Sequence, residues 1–222
     1  MLTALTVAIS VLAAVAGESV RALVLLTPAS VLSDATVWTA LTYGFVATDP
    51  LGVIFGALIL LTVGEVLETM WGSRRFAVFA LGVTALAAAA TVLLSLVWTG
   101  LRPLSYPGST VMTGALWVAY GLAFGTRTTG FWGLPVTGNQ FALIGVGFVG
   151  LNAAFAGLSV VVPSVFALGL TYLAARGFGP GDLFVRFRSW QLNRQLKKRA
   201  SHLSVVSGEK RNMPSDSDKY LH

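Results

Sequence analysis

The chain has 222 residues, 55% of them hydrophobic and 11% charged, with 24 glycines, no cysteine and a net charge of +6. A soluble domain would carry about 25% charged residues, a disordered chain would lack the apolar content, and a disulfide scaffold would need cysteines. What remains is an all-α polytopic membrane protein in a single domain.

Six apolar segments approach the roughly twenty residues needed to cross a bilayer. The first runs from about Leu2 to Leu23, with Glu18 and Arg21 spaced to share a helical face near its end. No Lys or Arg precedes it and no processing site follows, so it reads as a retained anchor and not a signal peptide. Thr27 to Asp49 is too interrupted to span and too apolar for a free loop, which places it in the membrane interface. The other spans are about Pro50–Met70, Phe76–Trp98, Tyr106–Phe124, Phe141–Leu158 and Val160–Ala175.

The charge is confined to the end of the chain. Residues 1–182 hold six basic and six acidic side chains, whereas the last forty residues hold nine basic and three acidic ones. The net charge therefore marks a tail and gives no reason to expect nucleic acid as a partner. Within 177–203, Arg186, Arg188, Arg194, Lys197, Lys198 and Arg199 alternate with Phe184, Phe187, Trp190 and Leu196. Such a segment reads either as an amphipathic helix on an anionic cytoplasmic leaflet or as a positive stop that only sets topology. Residues 204–222 have a disordered composition. With six spans and a cytoplasmic tail, both termini are cytoplasmic, along with Arg74, Arg75, Arg127 and Arg176.

Residues 37–76 read VWTALTYGFVATDPLGVIFGALILLTVGEVLETMWGSRRF. Trp38, Phe45, Gly64, Glu68, Gly72, Arg74, Arg75 and Phe76 fall in an order that resembles the rhomboid superfamily of intramembrane serine proteases. The same stretch is similar to a Golgi-resident rhomboid-like family regarded as pseudoproteases. The resemblance implies a six-helix rhomboid-like bundle over residues 1–176 with an interfacial first loop. The basic segment and the ending DKYLH look more like bacterial members, which favours a bacterial inner membrane, with a Golgi membrane as the alternative.

A rhomboid protease uses a serine on the fourth helix and a histidine on the sixth, because serine needs a base to be nucleophilic. Oxyanion donors come from the second helix. By alignment the lost donor and catalytic positions are Ala47, Gly52 and Gly56, and the first-loop arginine is Thr39. The serine position falls on Ser109 or on Thr110, depending on which glycine sets the register. Either hydroxyl also suits the start of a helix, where it would cap. The histidines are His202 and His222, both in the tail, and the first lysine is Lys197.

Other chemistry is sparse. The membrane body has neither His nor Cys, so no metal and no cofactor are expected. Glu65 and Glu68 near Arg74 and Arg75 read as structural charges that could pair at the interface. Asn152 on the fifth span is expected to bond to a neighbouring helix. Gly52 with Gly56, Gly121 with Gly125, and Gly145, Gly147, Gly150 and Gly157 supply small faces for close packing.

The expectation is a catalytically inactive rhomboid-like protein that binds transmembrane segments of clients. They would be received between the second and fifth helices and around Trp38, Tyr43 and Phe45. The alternatives are an active protease using Ser109 or Thr110, and a structural subunit of a membrane complex. Membrane lipids are expected partners, and the glycine faces allow a homo-oligomer.

Overall fold

A computed structural model describes residues 2–131 and 134–178. Apart from Gly177 and Phe178, the basic segment 177–203 and the tail 204–222 lie outside the described residues, and with them Arg186, Arg188, Arg194, Lys197, Lys198 and Arg199.

Among the described residues nine α-helices follow one another: α1 (Leu2–Val15), α2 (Glu18–Val24), α3 (Pro28–Ser33), α4 (Thr39–Thr42), α5 (Pro50–Trp71), α6 (Ser73–Val97), α7 (Ser109–Phe124), α8 (Gly138–Ala156) and α9 (Val162–Leu173). Short 3-10 turns cover Tyr43–Phe45 and Thr99–Leu101, and a π-helical turn, Ala174–Phe178, follows α9. Among the described residues α5, α6 and α8 are long and apolar enough to cross a membrane, whereas α1, α7 and α9 are shorter apolar helices.

Several expected boundaries shift. The first span divides at Gly17, which takes φ +82°, a value open to glycine without strain. α1 therefore has 14 residues, about 21 Å of helix and less than the hydrocarbon thickness. Arg21 donates its Nε to the Ala13 carbonyl at 3.1 Å, folding α2 back on the end of α1. The fourth helix starts at Ser109, because Tyr106 exchanges two backbone hydrogen bonds with Leu26.

A β-hairpin lies where no element was expected. β1 (Thr128–Phe131) and β2 (Leu134–Thr137) pair antiparallel between α7 and α8. Thr128, Thr129 and Phe131 of β1 and Val136 and Thr137 of β2 are residue types that favour strands. β2 runs straight into α8, where Thr137 and Gln140 form a reciprocal capping box.

α5 starts on Asp49, whose carboxylate accepts the Gly52 N–H at 2.6 Å, with Pro50 at the first helical position. It ends at Gly72, φ +82°, whose N–H donates to the Glu68 carbonyl. A single residue thus turns α5 into α6, and Phe76 folds back on Gly64, where a Cβ would meet Phe76 Cζ at 3.3 Å.

α7 is the central helix. Ten of its sixteen residues are buried. One cluster joins Ile59, Val63 and Leu67 of α5 to Met112, Leu116 and Tyr120 of α7 and Phe141 of α8. A second joins Leu26 and Tyr43 to Val83 and Ala87 of α6, Val111 and Ala115 of α7 and Ala167 of α9. α8 is buried only at Gly138, Phe141, Ala142 and Gly145. Asn152 is exposed on the outward half of that helix, which corrects the expected interhelical bond.

Candidate functional site

The start of α7 is held by backbone. Gly108 N–H donates to the Tyr43 carbonyl at 2.9 Å, and Ser109 N–H donates to the Val46 carbonyl at 3.1 Å. Gly108, not a hydroxyl residue, occupies the N-cap, and no side chain caps the helix. This corrects the capping role expected for Ser109 or Thr110.

Ser109 is 0% exposed and its Oγ has no hydrogen-bond partner. Gly56 of α5 faces it: a Cβ built on Gly56 would lie 2.9 Å from Ser109 Oγ and 3.8 Å from Thr113 Cγ2. Thr113 directs its own hydroxyl to the Ser109 carbonyl at 2.8 Å. The Ser109 hydroxyl thus sits against a glycine and a threonine methyl, and among the described residues no base bonds to it. Thr110, one residue on, is exposed. The two candidate hydroxyls therefore have opposite environments.

Of the three positions aligned with donor or catalytic residues, the structure sets Gly56 against Ser109. The Ala47 N–H donates to Ser10 Oγ at 3.0 Å, and that hydroxyl donates to the Phe45 carbonyl at 3.0 Å. The Gly52 N–H is taken by Asp49. Neither amide is available to an oxyanion. Ser10, buried on α1, was not picked out in the sequence, where it is one of three hydroxyl residues, with Thr3 and Thr6, in a largely apolar run.

The roof over this region is stitched in place. Tyr43 is fully buried and donates its hydroxyl to the Thr84 carbonyl at 2.7 Å. Burial pushes its phenol pKa well above the ordinary value of 10.0. A Cβ on Gly108 would collide with the Tyr43 ring, so the close approach requires glycine there. Trp38 Nε1 donates to the Leu23 carbonyl at 3.1 Å and stays half-exposed, while Phe45 is half-buried. Tyr43 is thus a core residue, which removes it from the client-facing loop expected around Trp38, Tyr43 and Phe45.

The motif residues on the opposite end behave as architecture. Gly64 admits Phe76, and Gly72 makes the turn. Glu65, Glu68, Arg74 and Arg75 are exposed. The glycine faces divide. Gly121 lies against Gly138 and Ala142 where α7 crosses α8, and Gly145 packs on Trp117, whereas Gly147 and Gly150 face open space. Among the described residues no group of His, Cys, Asp or Glu could hold a metal ion.

A family profile described as "Eukaryotic integral membrane protein (DUF1751)" matches residues 1–174. No curated protein matches the chain.

Proposed function

The chain belongs to the DUF1751 family of eukaryotic integral membrane proteins, and on that premise we propose that it is a six-span, rhomboid-like pseudoprotease that binds transmembrane segments of client proteins. The observation that carries the reading is Ser109, a fully buried hydroxyl with no partner, packed on Gly56. Acyl transfer by serine needs a base within hydrogen-bond reach and donors for the oxyanion. Both histidines lie at positions 202 and 222, and the Ala47 and Gly52 amides are already engaged.

The six-span reading counts α1 as the first crossing and adds α5 to α9. A bilayer accommodates the shorter helices by thinning locally. Client segments would meet the outward faces of α5 and α8, where Leu51, Ile54 and Phe55 and then Phe148, Leu151 and Phe155 are exposed. The eukaryotic family does not support the bacterial inner membrane expected from the tail, and a Golgi membrane is compatible with it.

A fluorophosphonate probe on the purified protein tests the inactive site. No labelling is expected. Labelling that vanishes in Ser109→Ala or Thr110→Ala would establish a protease instead. Photocrosslinkers at Ile54 and Leu151 are expected to capture single-span segments; reproducible capture of one stoichiometric polytopic partner would point to a structural subunit.

A further inference from the structure

We propose that the groove between α7, α8 and α9 seats an acyl chain of an anionic phospholipid whose negatively charged head group pairs with Arg176. The groove has a cavity volume of about 370 Å³ and is walled by Val118 and Leu122 of α7, Ala142 and Val146 of α8, and Leu168 and Tyr172 of α9. Its walls are almost wholly apolar, so water finds too few polar partners to fill it. In a bilayer the neighbouring medium is hydrocarbon, and a chain entering the groove recovers the dispersion contacts that an empty one forfeits.

One end of the groove has a different chemistry. Leu122 near the end of α7, Asn139 at the start of α8 and Tyr172 near the end of α9 meet there. The Arg176 guanidinium carbon lies 4.6 Å from the centroid of the Tyr172 ring, which holds the cation at the rim. Arg127 is beside the same end, because its carbonyl accepts the Gly138 N–H at 3.1 Å. From Ser109 to Arg176 the sequence has these two arginines and no Asp or Glu. An apolar slot that ends at an exposed, stacked guanidinium matches a molecule with a hydrocarbon chain and an anionic head. Arginine binds phosphate through a planar fork, which a point charge does not reproduce. A transmembrane peptide would satisfy the slot but leave the cationic end without a counterpart.

Native mass spectrometry of the full chain in detergent tests this, with dioleoyl phosphatidylserine and dioleoyl phosphatidylcholine added at equal concentration. The serine lipid should be retained about fivefold to tenfold more strongly, as expected for one arginine contact. Arg176→Gln, an exposed position, should bring retention down to the choline level without moving the thermal midpoint. Val146→Trp, which fills the groove, should reduce retention of both lipids. Arg74→Gln, in the first turn of α6, should leave the preference intact. Equal retention of the two lipids, an unchanged preference in Arg176→Gln, or an equal loss in Arg74→Gln would overturn the proposal. So would displacement of the lipid by inorganic phosphate, or a dimer mass that Val146→Trp abolishes, since the occupant would then be a free anion or a second copy.

Discussion

At position 109 a hydroxyl is buried without anything to bond to, and such a group carries its desolvation cost unrelieved. Ser109→Ala is therefore expected to raise stability by about 1 kcal/mol, read as a higher thermal midpoint in detergent. Gly56→Ala should act oppositely, because the added methyl meets Ser109 Oγ, with a cost of about 1–3 kcal/mol. A second residue-scale test concerns Tyr43. Its folded pKa is raised by burial, so the folded state keeps its proton where an unfolded tyrosine loses it. The stability that this tyrosine contributes is fully present below the unfolded pKa of 10.0 and declines as pH rises above it. Tyr43→Phe should thus flatten the fall in thermal midpoint between about pH 9 and about pH 11, while lowering stability by about 1 kcal/mol at neutral pH through loss of the bond to Thr84.

Individual helices differ in how far neighbours constrain them. α7 is enclosed by α5, α6, α8 and α9, whereas α8 is gripped only over its first two turns. The grip is a backbone crossing: a Cβ on Gly121 would lie 2.6 Å from Ala142 N and from Gly138 O. Gly121→Leu is expected to destabilise the fold by about 1–3 kcal/mol. Gly147→Leu, on the same pair of helices but facing open space, should stay within about 0.5 kcal/mol of wild type in the same melting assay. The existence of α1 and of α5 to α9 was legible from apolar run length, whereas the short helices α2, α3 and α4 were not. The break at Gly17 and the late start of α7 were not, because both depend on what the chain ends bond to. Tyr106 could continue a helical run by composition, yet its backbone is paired with Leu26, eighty residues earlier in sequence order and adjacent in space.

Across the whole molecule, the six-span reading makes a topological statement that a chain without cysteine can test cleanly. Single cysteines at Asp34 and at Arg127 should be labelled by an impermeant maleimide from opposite sides of the membrane; labelling from one side would exclude six spans. The amino-acid sequence by itself determined that this is a membrane protein, that its body is neutral with the charge in the tail, and that no histidine occurs before position 202. Those properties are sums and positions along the chain, and hydrocarbon selects for them whatever the packing. The tertiary structure alone decided that Ser109 is buried and Thr110 exposed, that Tyr43 belongs to the core, and that Gly121 is a contact while Gly147 is not. Each of those pairs is close in sequence or alike in chemistry. What separates them is which neighbour arrives across the bundle, and that depends on contacts between residues far apart in the chain.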